Sequence, residues 1–299
     1  MLKQRVITAI VLLLILIGAY WLGPVAFAGV MAIAFILAQW EWLKLSGLSS
    51  AASAVVAAIV GGTVTAMTYL AYLDLQMIHE ASREFQMLYA NLSGLFVMYL
   101  AVITLLWVGI SIRVFFARTT GLPVNRIVVG VTGVFFPPAA WLGFVAMYAS
   151  FGISMVISLL AIVWVADIMA YFTGMAFGKH RMSPAISPKK SWEGVAGGML
   201  SVMILGLIFA WFFPEIKTIP GVLVQSMGTI VWLVVAFVLV SLSIVGDLFE
   251  SALKRQAGIK DSSNLLPGHG GFYDRLDAMM PTLPAGFLLS VLIASGTLG

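Results

Sequence analysis

The chain has 299 residues, 62% of them hydrophobic and 9% charged, with a net charge of +4, no cysteine and a mean hydropathy of +1.07. Soluble domains are about 45–50% apolar, so lipid must be the solvent here, and runs that are apolar on every face exclude the alternating strands of a transmembrane barrel. Missing cysteine excludes disulfides, thiolate chemistry and cysteine metal sites, and basic residues scattered over short loops exclude a nucleic-acid-binding domain.

A bilayer core of about 30 Å takes a helix of about 20 apolar residues. The expected fold is therefore an all-α polytopic bundle of about nine transmembrane helices. They fall at roughly residues 6–22, 24–42, 52–73, 92–112, 127–148, 152–177, 195–213, 222–246 and 278–297. Lys3 and Arg5 precede the first run as in a signal peptide, but no small-x-small cleavage site follows. The chain turns straight back at Gly23-Pro24, so this run is expected to be retained as a span. Cytoplasmic loops are enriched in Lys and Arg. With the N-terminus cytoplasmic, 14 of the 16 Lys and Arg residues face the cytoplasm, and only Arg83 and Lys217 face away. The long outer loop, about 74–91, then carries Asp74, Glu80, Arg83 and Glu84.

The character of the chain changes near residue 120. Residues 1–120 are expected to form a membrane scaffold with no ionisable residue deep inside a span. Residues 121–299 hold three polar clusters and are expected to form the catalytic region, facing the cytoplasm.

The first cluster is Asp167, Tyr171, Gly174 and Gly178, at helical spacing in the sixth span. A carboxylate in a span costs about 2.5–3.5 kcal/mol on insertion scales and is by default a functional candidate. Against that, Asp167 could simply accept hydrogen bonds from a neighbouring helix. The glycines suit close helix packing. The second cluster is Ser187-Pro188-Lys189-Lys190-Ser191-Trp192-Glu193-Gly194. Ser187 followed by Pro188 predicts a helix start, whose free N–H groups, with Lys189 and Lys190, would suit a phosphate. The same lysines would equally serve as anchors to lipid headgroups.

The third cluster begins with Asp247, Glu250, Ser251 and Lys254, which share one helical face, followed by Arg255, Lys260 and Asp261. Pro267-Gly268-His269-Gly270-Gly271 then frees the backbone to turn its N–H groups toward an anion. It lacks the GK[ST] ending of a Walker loop. Asp274 and Asp277 are expected to open the last helix. The glycine-rich break would let Asp247 and Asp274 converge, and converging carboxylates need a cation. Oxygen-only donors point to Mg²⁺ or a similar hard ion. Paired metals about 3.5–4 Å apart can clamp a phosphoryl centre. The plainer reading is that these acids and bases pair with each other. These parts suit phosphoryl or nucleotidyl transfer to a lipid.

The run S-x-L-K-R-x4-K-D-x8-H-G-G-x2-D-R-x-D, here Ser251 to Asp277, resembles the signature of phosphatidate cytidylyltransferases. The likeness is strongest over about residues 125–299. It implies that CTP and phosphatidate give CDP-diacylglycerol and pyrophosphate, with Mg²⁺ and a K⁺ beside it. It implies that Asp247 and Asp274 bind metal, with Asp167 and Asp277 as further candidates. Lys254 and Arg275 join the two aspartates as catalytic candidates. Lys189, Lys190, Ser251, Arg255, Lys260, His269, Gly270 and Gly271 are candidates for holding substrate. It further implies a multi-pass protein of the bacterial inner membrane, partnered by CTP, phosphatidate and membrane lipid and not by nucleic acid, with room for a homodimer. The rivals are a CTP-dependent polyprenol-type lipid kinase, which would need a base for its alcohol, and a cation-coupled transporter, which would show inverted repeats. A CDP-alcohol phosphotransferase would need a closely spaced aspartate run that the chain lacks.

Overall fold

In lipid, backbone N–H and C=O groups must find partners inside the chain, which leaves helices as the economical answer for apolar runs. A computed structural model describes residues 2–77, 83–116 and 124–294. Its helices are α1 (Leu2–Leu22), α2 (Pro24–Leu45), α3 (Ser50–Met77), α4 (Arg83–Phe116), α5 (Arg126–Phe151), α6 (Ile153–Phe177), α7 (Trp192–Phe212), α8 (Ile219–Met227), α9 (Thr229–Gln256), α10 (Tyr273–Leu276) and α11 (Met279–Ala294). A two-stranded antiparallel hairpin, β1 (Arg181–Ser183) and β2 (Ser187–Ser191), sits between α6 and α7. Among the described residues seven helices are long and apolar enough to cross a membrane, and two shorter apolar helices, Val6–Leu22 and Met279–Ala294, flank them. The protein is an all-α polytopic membrane protein, as expected. Its outer residues agree: Trp21 is 83% exposed and Leu22 82%, side chains that only lipid would welcome. Residues 78–82, the middle of the expected outer loop with Glu80, and Arg118 of the expected cytoplasmic side lie outside the described residues.

The expected eighth span, 222–246, is not one helix. The apolar run is interrupted at Gln225-Ser226, and Gly228 then takes φ +89° and its N–H closes α8 onto Leu223 and Val224. Only glycine enters that region cheaply. The span is α9, which starts at Thr229 and runs ten residues past the expected end, so Asp247, Glu250, Ser251 and Lys254 all lie within one continuous helix. The expected helix start at Ser187-Pro188 is also overturned. These residues are extended in β2, and the helix begins at Trp192 with Ser191 as its cap, its Oγ accepting from the Gly194 N–H. Asp274 and Asp277 do not open the last helix either. Asp274 lies in the single turn α10, Asp277 follows it, and α11 begins at Met279.

The chain divides into two compact units. The first comprises Met1–Ile103, Val124–Val145 and Leu253–Leu276; the second comprises Thr104–Pro123, Ala146–Ala252 and Asp277–Gly299.

In the first unit α2 and α5 solve a proline problem together. Pro137 and Pro138 stand inside α5 and have no N–H to give to the carbonyls four residues back. Those carbonyls belong to Gly133 and Val134. Gln39 of α2 supplies the missing donor: its Nε2 lies 3.1 Å from Gly133 O and 3.3 Å from Val134 O. The Trp42 indole N–H reaches Val129 O at 3.1 Å, one turn earlier. In the second unit α6 and α7 pack backbone against backbone. A Cβ at Gly194 would lie 2.7 Å from Ala170 O, and one at Gly198 would lie 2.5 Å from Ala166 O. The small-residue face after Asp167 is thus a packing face.

Candidate active site

In the second unit the β1–β2 hairpin carries the basic residues. Glu193, in the first turn of α7, holds its base. Its carboxylate accepts the N–H of Lys179 at 3.1 Å and of His180 at 3.2 Å, and meets the His180 ring Nδ1. Arg181 donates to the Lys189 carbonyl across the hairpin. So directed, Lys190 reaches α9, where its ammonium lies 2.6 Å from Asp247 Oδ2, both side chains 24% exposed. Ser251, one turn on from Asp247, donates its hydroxyl at 3.4 Å. Lys189, the preceding residue of β2, is exposed.

Two more carboxylates act electrostatically on this spot. Burial pushes the Asp277 carboxyl well above the usual range, Asp247 and then Asp167 push it further, and the Ala278 N–H and Lys190 only partly offset them. Burial alone would lower the Lys190 ammonium. The attraction of Asp247, with Asp167 and Asp277 behind it, outweighs that and holds Lys190 above its ordinary value. The second unit therefore gathers the Asp167, Asp247 and Asp277 carboxyls in one field with Lys190.

The first unit holds the other cluster. Lys254 Nζ lies 2.6 Å from Asp274 Oδ1, with the two side chains 14% and 5% exposed. Asp274 Oδ2 accepts from the Ser262 N–H at 2.9 Å, the Ser262 hydroxyl at 2.8 Å and the Gly271 N–H at 2.7 Å. A Cβ at Gly270 would come within 2.7 Å of the same oxygen, and Gly270 has φ +83°. A Cβ at Gly271 would collide with Ser262 Oγ and the Glu41 carboxylate. These two glycines are thus demanded by the close approach of the loop to its acids. Arg275 donates from Nε at 3.0 Å and Nη2 at 2.6 Å to the His269 carbonyl. It braces the loop with two of its five donors. His269 is half-buried, and its Nδ1 is buried with no hydrogen-bond partner among the described residues. Arg255, Lys260 and Asp261 are exposed. Asp247 thus belongs to the second unit and Asp274 to the first, each with its own lysine.

One residue of this cluster does not follow from the sequence reading. Glu41 of α2 is 0% exposed. Its Oε1 accepts from the Ser263 hydroxyl at 2.5 Å and the Phe272 N–H at 3.2 Å, and its Oε2 from the Tyr273 N–H at 2.6 Å and the Ser262 hydroxyl at 3.1 Å. The scaffold half is therefore not free of buried ionisable groups. The available signal was an acid at the end of an otherwise apolar run.

Chemically, the two clusters supply carboxylates fixed by lysines, a loop whose N–H groups are already turned inward, and exposed basic residues. Among the described residues no group of three or more His, Asp or Glu side chains is placed to hold a metal ion unaided.

Comparison with known proteins agrees with this chemistry. The profile of the cytidylyltransferase family matches residues 3–293. A phosphatidate cytidylyltransferase of Pseudomonas aeruginosa is 36% identical over 286 residues, covering 95% of each chain. One from Haemophilus influenzae is 33% identical over 297 residues, covering 95% of this chain and 96% of its own. One from Thermotoga maritima is 40% identical over 146 residues, covering 49% of this chain and 52% of its own.

Proposed function

The chain belongs to the cytidylyltransferase family, and from this membership we infer that it transfers the cytidylyl group of CTP to phosphatidate, giving CDP-diacylglycerol and pyrophosphate. It is a membrane-embedded nucleotidyltransferase of phospholipid synthesis. One observation carries the reading: the family match spans residues 3–293, a range that includes both charged clusters. A lipid kinase or a transporter finds no comparable support.

In the reaction, a phosphate oxygen of phosphatidate attacks the α-phosphorus of CTP. The bond from that phosphorus to the bridging oxygen of the β-phosphate breaks, and pyrophosphate leaves with the electron pair. The nucleophile is already anionic, so no strong base is required. The work is alignment and charge neutralisation. Lys190 and Lys254 present ammonium groups held in place by Asp247 and Asp274. Exposed Lys189, Arg255 and Lys260 provide further positive charge for a triphosphate or for the phosphatidate headgroup. The loop from Ser262 to Asp274 presents its backbone close to Lys254, and Arg275 keeps that loop closed. His269, with its ring nitrogen unpartnered, can turn to a phosphate oxygen.

The donor set fits a hard divalent cation. The second unit concentrates Asp167, Asp247 and Asp277 around a single lysine, and all their donors are oxygens. Mg²⁺ commonly takes one or two carboxylates and completes its shell with water and substrate phosphates, so a site without three converging acids is suited to it. Asp247 and Asp277 are the residues proposed to hold it, with Asp167 adding field. Asp274 enters the proposal as the carboxylate that its loop fixes in place, and a K⁺ beside the divalent ion remains part of it. Bound Mg²⁺ would neutralise phosphate oxygens on CTP. The Lys and Arg bias of the loops supports a cytoplasmic face for this chemistry, where CTP is available, and the bacterial relatives support the inner membrane.

The test uses purified full-length protein with labelled CTP, phosphatidate and Mg²⁺. The expected result is cytidine label in the lipid phase and an equal amount of pyrophosphate, both stopped by EDTA. Transfer of the γ-phosphate to a lipid alcohol, or no lipid product from folded protein, would overturn the reading.

A further inference from the structure

We propose that Glu41, on the second helix of the chain, is a positioning residue for the loop that carries Asp274, an inference that rests on the cytidylyltransferase reading. Three observations lead there, all within the first unit.

Glu41 is fully buried, yet four donors converge on it: two hydroxyls, of Ser262 and Ser263, and two backbone N–H groups, of Phe272 and Tyr273. A carboxylate is an acceptor-only group with lone pairs for about four donors, so this arrangement uses its capacity. Buried polar groups are kept only when they are satisfied, and a satisfied buried network fixes one geometry. Hydrogen bonds to a charged acceptor are also stronger than those between neutral groups.

The four donors come from both ends of the loop. Ser262 and Ser263 lie at its start and Phe272 and Tyr273 at its end. Glu41 thus staples the two ends to one point on a membrane helix. Neighbouring Trp42 adds a flat contact: its ring stacks on Tyr273 at 4.7 Å between centroids and 26° between planes.

Ser262 also links Glu41 to the chemistry. Its Oγ lies 3.1 Å from Glu41 Oε2 and 2.8 Å from Asp274 Oδ2, while its N–H donates to Asp274. A hydroxyl has one proton, so the two carboxylates share a single donor through it. Moving Glu41 moves Ser262, and moving Ser262 releases two of the contacts that aim Asp274. A misplacement of about 1 Å can cost on the order of 100-fold in rate.

The experiment takes the full chain in lipid nanodiscs and compares wild type with Glu41→Ala, Ser262→Ala and the double variant. Rates are expressed per folded molecule, and backbone hydrogen exchange is followed at Phe272 and Tyr273. Glu41→Ala is expected to lower kcat at least about tenfold with KM for CTP within about twofold, the mark of lost alignment and not lost binding. The two amides should exchange faster while the amides of α5 keep their protection. The double variant should be no slower than the worse single one, because both act through one contact chain. Unchanged kcat per folded molecule, unchanged protection of the two amides, or losses that multiply in the double variant would each overturn the proposal. If Glu41→Ala does not fold, Glu41→Gln serves: it keeps one acceptor oxygen and sets an NH₂ against N–H and O–H donors. A partial loss of kcat is expected from it, and full activity overturns the proposal. Failure of the underlying reading is separate, since wild-type protein would then make no CDP-lipid, and the exchange measurement would still decide whether Glu41 holds the loop.

Discussion

Lys254 and Asp274 stand 20 positions apart in the chain, yet the ammonium and the carboxylate meet at 2.6 Å with little solvent between them. Removing one partner from a buried pair leaves the other uncompensated, a loss of about 3–5 kcal/mol where burial is complete. Lys254→Gln keeps a donor for Asp274 but removes the charge. It is expected to lower kcat/KM for CTP by about 100-fold, a factor that corresponds to two steps of 1.36 kcal/mol in transition-state stabilisation. Steady-state kinetics decide: unchanged kcat/KM would reduce Lys254 to a structural anchor.

The crowding of Asp247, Asp167 and Asp277 makes a separate prediction about the divalent ion. Asp247→Asn and Asp277→Asn each remove one carboxyl from that cluster. Each is expected to raise the Mg²⁺ concentration for half-maximal rate by about 10–100-fold, the range seen when groups that hold or support a metal are lost. A Mg²⁺ titration of the initial rate checks it. Identical Mg²⁺ curves for wild type and both variants would remove these residues from the site.

Gly271→Ala places a methyl against Ser262 Oγ and Glu41. Overpacking of this kind costs about 1–3 kcal/mol. The variant should melt earlier in detergent and lose most of its activity, because the atoms displaced are those that hold Asp274. Gly62→Ala is the control, since nothing lies within 4 Å of a Cβ there. Equal behaviour of the two variants would show that the loop yields without consequence.

Gln39→Leu withdraws the donor shared by Gly133 O and Val134 O. Leaving a buried carbonyl unsatisfied costs about 1–3 kcal/mol. A lower melting temperature with kcat retained per folded molecule is expected. A melting temperature equal to that of wild type would mean that other donors serve α5.

Hydropathy made the apolar helices legible, including the tight turn at Gly23-Pro24, because a span is announced by many residues acting alike; among the described residues seven are long enough to cross a membrane and the first and last are shorter. Local punctuation was less secure. Ser187-Pro188 reads the same before a helix as in an extended strand, and pairing with Arg181–Ser183 decided for the strand. Gly228 breaks the chain by its φ, and the short polar stretch Gln225-Ser226 before it is too brief to announce a helix end. Asp277 and Lys190 came out of the sequence as separate candidates, and only folding showed that they share one field. Glu41 was hidden for a different reason: the donors it serves lie 221 to 232 residues further along, and no window of sequence contains both.

The prolines of α5 bear on how the protein is made. A helix that enters lipid with two carbonyls lacking donors carries a penalty of several kcal/mol for each, and in the folded chain Gln39 reaches both carbonyls. The relief is on α2, which the ribosome completes first. Gln39 is therefore already in the bilayer when Pro137 and Pro138 leave the translocon, and order of synthesis ensures that the acceptor never precedes its donor. Moving α2 downstream of α5 by circular permutation would reverse that order and leave the finished fold's contacts unaltered on paper, yet it would expose α5 alone to lipid during insertion.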